Sequence, residues 1–174
     1  MREVKIVPYS LHWPAMFNAE AVRVKSIFGK EMAGIHHIGS TSIPSIHAKP
    51  VIDILVEVND IRKVDRYNSE MQMLGYEAKG EHGIAGRRFF KKGGNSRTHH
   101  IHVFESGSRE AARHLAFRDY MRAHPEEALT YSQLKQRLAE KHPFDIDSYI
   151  EGKDAYIKEI EQKGLEWKES LRKD

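Results

Sequence analysis

Three short stretches of the sequence combine residue types that bind phosphate or metal ions. Gly39-Ser40 closes an apolar run, Asp53 lies within the strand-like segment VIDILVEV, and the segment RTHHIHVFE carries His100 and His102. A Gly-Ser turn that leads into a short helix presents free backbone N–H groups and a hydroxyl, which together suit a phosphate. The alternative for Gly-Ser alone is an ordinary turn whose serine caps a helix.

Alternation along the two predicted strands decides which polar side chains share a face. Asp53, Leu55 and Glu57 point to one side of their strand, and His100 and His102 point to one side of theirs. A carboxylate on a central strand must be hydrogen-bonded, paired or bound to a metal, and neighbouring imidazoles are common metal ligands. The alternatives are a partly exposed acid and a pair of hydrogen-bonded or exposed histidines.

Basic residues elsewhere in the chain are candidates for neutralising a phosphate. Of Arg87 and Arg88, only one can point to the face of the histidines, because neighbouring strand residues alternate. Tyr131 with Lys135, and Tyr149 with Lys153, are spaced i,i+4 on predicted helices. Aromatic and basic neighbours suit a phosphate-bearing ligand with a planar base, although each pair taken alone is more typical of a solvated helix face. Arg118 and Arg122 have the same spacing.

Composition places the chain among globular proteins. It has 174 residues, 40% hydrophobic and 30% charged, which is enough for one domain with a core. It has no cysteine, no signal-peptide pattern and no apolar run long enough to cross a bilayer, so we expect a cytoplasmic protein without disulfide or thiolate chemistry. The net charge of +3 is modest and scattered, so we expect neither a membrane nor a nucleic acid as partner.

Periodicity predicts an α+β fold with a small mixed sheet and flanking helices. A helix runs from Pro14 to Gly29, and another follows an Asn59 or Asp60 cap and stops at Gly75. The predicted strands are 34–38, 51–58, 76–79, 87–92 and 98–105. The predicted later helices lie near 108–123, 126–141 and 147–162, and the tail 164–174 is expected to be an exposed helix end. We expect a single domain, 1–174, with its sheet in about 1–106 and a helical part in about 107–174.

Longer motifs carry a resemblance to a known family. They are HIGSTSIP......KPVIDILV (37–56), RRFF (87–90), HHIHVF (99–104), FRDYMRAHP (117–125) and Y..LK..LA (131–139). In these motifs, and over nearly the whole chain, the sequence resembles the GrpB family. That family is similar to a branch of the polymerase-β-type nucleotidyltransferases, so the resemblance implies a nucleotidyltransferase-like fold.

The resemblance also implies roles for particular residues. In the polymerase-β-type fold a Gly-Ser turn binds the nucleotide's phosphates, and three acids on two neighbouring strands hold divalent metals. Gly39-Ser40 and Asp53 match this pattern. Leu55 stands where the second acid is expected, and His100 or His102 stands in for the third. One Asp and two His suit manganese, zinc or another transition metal better than two magnesium ions.

The principal hypothesis is a protein that binds a nucleotide or another phosphorylated small molecule with a divalent metal. The metal would be magnesium or manganese, with zinc or another transition metal as alternatives, and the reaction would be nucleotidyl or phosphoryl transfer. The phosphate-binding residues would be Gly39, Ser40, Thr41, Lys49, Arg87, Arg88, Arg118, Lys135 and Lys153. The metal ligands would be Asp53, His100, His102 and Glu57, with Asp53 and His102 as catalytic residues.

Three other functions stay open at the level of sequence. Leu55 favours a nucleotide-binding module that has lost catalysis, because the fold's second metal-binding acid is missing there. Asp53 with the two histidines would also serve a single-metal hydrolase that activates water. A nucleic-acid binder ranks last, because the charge is too low and too dispersed.

Overall fold

A computed structural model describes residues 2–174 of the chain. Its main elements are α1 (His12–Phe28), β1 (Met32–Ile38), β2 (Ile52–Val58), α2 (Asn68–Met73), β3 (Tyr76–Ala78), β4 (Arg88–Lys92), β5 (His99–Glu105), α3 (Arg109–Ala123), α4 (Pro125–Lys141) and α5 (Ile146–Leu171). The predicted α+β class is confirmed, and so is the element order. Within residues 2–174 no helix is long and apolar enough to span a membrane.

The five strands form one mixed sheet in the order β1-β2-β5-β4-β3. β2 and β5 are parallel, and the other neighbouring strands are antiparallel. The register places Asp53 opposite His100 and Leu55 opposite His102. Directly opposed residues point to the same face of a sheet, so this register brings Asp53 and both histidines to one face.

The other face of the sheet forms an apolar core with α1. Alternate residues of the two central strands are fully buried, namely Ile52, Ile54, Val56, Val58, Ile101 and Val103. α1 contributes buried Trp13, Val24 and Phe28, and its buried Glu20 accepts hydrogen bonds from the Tyr76 hydroxyl (2.8 Å) and Lys92 Nζ (3.0 Å). Because this face is filled, polar chemistry is left to the face that carries Asp53.

The chain divides into two compact units. Residues 11–38 and 51–111 form the sheet unit, and residues 1–10, 39–50 and 112–174 form the helical unit. This boundary lies near the predicted 106/107 division, but the segments 1–10 and 39–50 group with the later helices. Backbone hydrogen bonds explain the difference, since Val4 N–H donates to the Pro143 carbonyl (2.8 Å) and Val7 pairs with Ala48. The single-domain assignment stays a prediction.

The helical unit has its own hydrophobic cluster. It consists of Ile43, Ile46, Phe117, Tyr120, Met121, Ala128, Tyr131 and Ile160, with Trp167 packed against it. α5 continues through Gly164 to Leu171 and so includes most of the tail 164–174, which the sequence predicted to be an exposed helix end. Gly164 is buried, and a Cβ at this position would lie 2.7 Å from the Ala116 carbonyl oxygen of α3. The glycine therefore marks a close helix approach and not a helix terminus.

The segment between β2 and β3 also differs from its prediction. Asp60 caps it as expected, accepting a hydrogen bond from the Arg62 N–H (3.0 Å). However, Ile61–Tyr67 is a 3₁₀ helix, and the α-helix begins at Asn68. Ile61, Val64 and Asp65 lower the α-helical propensity of this stretch. Gly75, with φ +100°, ends the segment as predicted.

Candidate functional site

Asp53 on β2 lies between two histidines of the neighbouring strand β5. Its Oδ1 is 3.4 Å from His100 Nδ1 and 3.5 Å from His102 Nε2. The Asp53 side chain as a whole is 29% exposed. The structure therefore brings together the three residues that the sequence pattern placed on one face.

Each of these histidines also contacts an arginine through its other ring nitrogen. Arg97 Nη1 lies 3.0 Å from His100 Nε2, and Arg87 Nη1 lies 3.4 Å from His102 Nδ1. A guanidinium can only donate hydrogen bonds, so the ring nitrogens that face it accept. The remaining nitrogens then carry the hydrogens and direct them at Asp53. We call these five residues the Asp53 group.

The surroundings of Asp53 favour its ionised form. Burial by itself raises the pKa of this carboxyl, but the hydrogen bonds that it accepts from His100 and His102 outweigh burial and hold the pKa below its ordinary value. Asp53 is therefore a carboxylate at neutral pH, available to a cation or to a hydrogen-bond donor.

Arg87 is fixed in place by several contacts besides His102. It is 7% exposed, its Nη2 donates to the His82 carbonyl (2.7 Å), and its Nε donates to the Glu81 carbonyl (3.2 Å). Its guanidinium also lies 4.9 Å from the centre of the Phe89 ring. These contacts orient the guanidinium towards the histidines before any ligand arrives.

Arg88 points away from the Asp53 group. Its Nε donates to Asp65 Oδ1 (2.9 Å), and its Nη1 donates to the Arg87 carbonyl (3.0 Å). The sequence pattern allowed only one of the two arginines to face the histidines, and in the structure that residue is Arg87.

The other two positions on the Asp53 face of β2 do not join the Asp53 group. Glu57 Oε1 lies 2.9 Å from His36 Nε2 on β1. Leu55, at the position of the fold's second acid, is fully buried. A pair of alternate carboxylates that could hold two magnesium ions is therefore not formed by Asp53 and its strand neighbours.

A single metal ion is a different case. Ligand atoms about 2.1 Å from a tetrahedral metal lie about 3.4 Å apart, which matches the spacing of Asp53 Oδ1 from each imidazole nitrogen. Against this, no set of three or more His, Cys, Asp or Glu side chains within residues 2–174 is arranged as a metal site. The imidazole hydrogens also point at Asp53. The Asp53 group thus fits one metal by donor type and by these two spacings, on condition that the arginines leave the rings.

The predicted Gly-Ser turn lies in the helical unit. Gly39 has φ +70°, which favours glycine, and Ser40–Ser42 form a single 3₁₀ turn closed by a hydrogen bond from Ser42 N–H to the Gly39 carbonyl (3.1 Å). Thr41 is 1% exposed, so the accessible part of the turn is Gly39-Ser40. A phosphate role for residues 39–41 stays a prediction.

The basic candidates of the helical unit fall into a cluster and one separate residue. Lys135 Nζ lies 4.6 Å from the Tyr131 ring centre, and Lys49 and Lys153 lie 5.3 and 4.8 Å from that of Tyr149. We call these five residues the lysine cluster. The separate residue is Arg118, whose Nε donates to the adjacent Asp119 (2.8 Å).

Sequence reasoning missed Arg97 as a member of the Asp53 group. Arg97 follows the Gly93–Asn95 turn between β4 and β5 and lies three residues before His100. The available signal was a basic residue just before the strand that carries the histidines. Without the turn geometry, the sequence could not show that the side chain folds back onto His100.

Comparison with known proteins places the chain in a family. The GrpB protein family matches residues 3–163. The chain belongs to the GrpB family. It is 52% identical over 167 residues to UPF0157 protein YqkA of Bacillus subtilis (strain 168), a match that covers 96% of this chain and 49% of YqkA. It is 36% identical over 163 residues to glutamate-rich protein GrpB of Alkalihalophilus pseudofirmus, covering 91% and 94% of the two chains.

The chain matches only part of the length of some relatives. The chain spans about half the length of YqkA, and it spans 66% of UPF0157 protein PA4798 of Pseudomonas aeruginosa.

Solved structures agree with the predicted fold. The crystal structure of conserved protein GrpB from Enterococcus faecalis has a TM-score of 0.90 at 45% identity and covers 93% of this chain and 98% of that one. Cid1 in complex with the UTP analogue UMPNPP has a TM-score of 0.51 at 14% identity, covering 76% and 42%. The likeness to Cid1 concerns the fold alone. It confirms the predicted nucleotidyltransferase-like fold of this GrpB-family chain.

Proposed function

We propose that this GrpB-family chain binds a nucleotide or another phosphorylated small metabolite with a divalent metal, and transfers a nucleotidyl or phosphoryl group. The observation that carries the proposal is the Asp53 group itself, in which one carboxylate lies between two histidines and each histidine is backed by an arginine. Support comes from the fold, because Cid1 has this fold and has been solved with UMPNPP and with its product ApU. A cytoplasmic location is part of the proposal.

Arg87 and Arg97 would bind the phosphate. Guanidinium groups pair with phosphate oxygens in a bidentate manner and keep their charge at any physiological pH. A phosphate oxygen is a stronger acceptor than a neutral imidazole nitrogen, so the arginines would move from the histidines to the ligand. Arg87 is already oriented by the carbonyls of Glu81 and His82, which lowers the entropy cost of that step.

Asp53, His100 and His102 would hold the metal. A bound divalent ion supplies charge neutralisation for a phosphoryl group and polarises its oxygens. The imidazole nitrogens that face Asp53 carry hydrogens. They can bind a metal only after those hydrogens move to the other nitrogen of each ring, which in the structure faces Arg97 or Arg87. Departure of the arginines to a phosphate permits that shift. Metal and phosphorylated ligand should therefore bind cooperatively.

Calorimetric titration tests this proposal. Mn²⁺, Zn²⁺ and Mg²⁺ are titrated with and without each of the four ribonucleoside triphosphates, and products are followed to separate group transfer from simple hydrolysis. We expect Mn²⁺ or Zn²⁺ to bind at least tenfold more tightly when the triphosphate is present. Asp53→Asn should abolish that gain, and Asp65→Asn, which alters an exposed carboxylate paired with Arg88, should keep it. Equal metal affinity with and without every triphosphate would overturn the coupling.

A binding module without catalysis is the second candidate, and buried Leu55 favours it. The fold's two-metal chemistry requires a second acid, and Leu55 supplies no ligand atom. If the chain is such a module, we expect saturable nucleotide binding that persists in the presence of a chelator. We also expect turnover no higher than that of the Asp53→Asn variant. Nucleotide binding that is lost with EDTA would count against it.

A further inference from the structure

The segment 79–87, which connects β3 to β4, holds one histidine in a strained backbone conformation. Gly80, Gly83 and Gly86 have positive φ, and so does His82, with φ +48°. This left-handed region costs free energy for a residue with a side chain and not for glycine. A glycine at position 82 would remove the strain, so the imidazole ring has to supply an interaction that offsets the cost.

The His82 ring lies flat against Phe89 of β4. Their ring centres are 5.1 Å apart and their planes differ by 16°, so Phe89 covers one face of the imidazole. Phe89 is 7% exposed, whereas His82 is exposed. Apart from the chain neighbours, no atom of residues 2–174 lies within 4 Å of a Cβ built at Gly80, Gly83 or Gly86, so the segment has open space beside it. The imidazole face that points away from Phe89 is therefore accessible to a ligand.

Phe89 connects this histidine to the Asp53 group. Its ring centre is 5.2 Å from that of His102 and 5.4 Å from that of His100, so all three histidines contact the same phenyl ring. The backbone of His82 is tied to the group as well, because its carbonyl accepts a hydrogen bond from Arg87 Nη2 (2.7 Å). A planar ring on His82 and a phosphate on Arg87 can therefore belong to one small molecule.

We propose that the exposed face of His82 is a stacking surface for the base of a nucleoside or nucleotide, whose sugar extends from there towards the Asp53 group. Histidine is among the side chains on which bases stack, and stacking accepts any base because every base has a π face. Phe89 already holds the ring in place, so little side-chain entropy is lost on binding. The inference rests on the proposed function for the ligand's role as a substrate, but the stacking itself needs neither a metal nor a phosphate.

An NMR titration with adenosine in the presence of EDTA tests the stacking surface separately from the metal and the phosphate. Adenosine has a base but no phosphate, so its binding does not depend on the arginines or on a divalent ion. We expect a saturable upfield shift of the His82 ring protons, because a base stacked on the imidazole shields them. Ribose, which has no base, should leave these protons unshifted. No shift with adenosine up to its solubility limit would overturn the proposal, whatever the outcome of the metal titrations.

His82→Gly removes the ring and keeps the backbone. Glycine adopts φ +48° without strain, so the carbonyl bond to Arg87 should remain and the variant should fold. We expect it to bind adenosine about tenfold more weakly or worse, as for the loss of one base–aromatic stack, whereas His82→Phe keeps a flat ring and should retain binding. Ile84→Ala removes a partly exposed apolar side chain of the same segment and should bind as the wild type does. Wild-type affinity in His82→Gly, or equal losses in His82→Gly and Ile84→Ala, would contradict the proposal.

A titration with the trinucleotide ApApA distinguishes a free nucleoside from the end of an RNA chain, which offers bases of the same chemistry. The backbone amides of segment 79–87 report binding in each case. With a single stacking surface we expect one base to be bound, so that the affinity per base equals that of adenosine. Each further stacked base would add about tenfold. A gain of that size would assign the surface to an RNA chain and overturn the small-molecule ligand.

Discussion

Charge within the Asp53 group favours a negatively charged ligand. With neutral imidazoles the group carries one negative charge, on Asp53, and two positive charges, on Arg87 and Arg97. This surplus lies on a face of the sheet where Leu55 and Phe104 are buried. Electrostatic interactions are less screened beside such apolar surroundings than in bulk water, so an added phosphate would be held more strongly there.

Neighbouring arginines allow a matched test at the residue scale. Arg87→Ala should weaken nucleotide binding about tenfold or more, because it removes the guanidinium that backs His102. Arg88→Ala removes the same side chain from the next position, where it bonds Asp65, and should leave the affinity unchanged. Calorimetry measures both affinities, and thermal unfolding shows that each variant is folded. Equal losses in the two variants would contradict the assignment of Arg87.

The lowered pKa of Lys135 predicts how the free energy of unfolding depends on pH. Its pKa is lowered to about 6 in the folded chain and is ordinary in the unfolded chain, so the unfolded chain binds more protons between these values. The free energy of unfolding should therefore rise with pH from about 6 towards 10, by up to about 1.4 kcal/mol per pH unit from this residue. Urea unfolding at pH 6.5, 8 and 9.5 measures the slope. Lys135→Met should flatten it, and an unchanged slope would contradict the burial of the amine.

Much of the element arrangement was predictable from sequence because the strands alternate clearly. Periodicity gave all five strands within about two residues, and alternation placed Asp53, His100 and His102 on shared faces. The choice between Arg87 and Arg88 could not be made, since it depends on where β4 begins. Arg97 was missed because a turn residue's direction follows from backbone angles that a single sequence does not specify.

Gly164 shows how tertiary packing can differ from what a local sequence pattern suggests. A glycine near the end of a helical pattern usually marks a C-terminal cap. Here α5 continues beyond it, because its missing side chain lets the backbone of α3 approach at Ala116. A close approach of this kind depends on a residue that is distant in the sequence, so no local sequence pattern indicates it.

Gly164→Ala should therefore destabilise the chain, although the same change usually stabilises a helix by about 1 kcal/mol. The new methyl would lie 2.7 Å from the Ala116 carbonyl oxygen, and two backbones would have to separate, at a cost of about 1–3 kcal/mol. Gly152→Ala on the same helix is the matched control, since its methyl meets the Leu138 side chain, which can rotate away. Urea midpoints compare the two. A midpoint for Gly164→Ala at or above that of Gly152→Ala would contradict the close approach.

At the scale of the whole molecule, the two units are interleaved along the sequence. The helical unit needs residues 1–10 and 39–50 in addition to 112–174, and the sheet unit is built from 11–38 and 51–111. Ile43 and Ile46 belong to the hydrophobic cluster of the helical unit. Neither unit therefore corresponds to one uninterrupted stretch of chain.

A fragment of residues 107–174 should for this reason fail to fold alone. It contains α3, α4 and α5 but lacks Ile43 and Ile46 of the hydrophobic cluster and the His47 carbonyl that accepts from Lys135. Circular dichroism should show reduced helicity and a broad thermal transition, because helices without their packing partners are marginal in water. A sharp transition at the temperature of the full chain would contradict this prediction.

Because the two units are interleaved along the sequence, their residues are completed at different times during synthesis on the ribosome. All residues of the sheet unit have been made once residue 111 is complete, so that unit can form early. Ile43 and Ile46 must instead wait for α3, α4 and α5, which at about 5–20 residues per second is a delay on the order of ten seconds. During that interval two apolar side chains stay without their partners. The step at which a nascent chain is most open to a chaperone is therefore the capture of segment 39–50 by the last three helices.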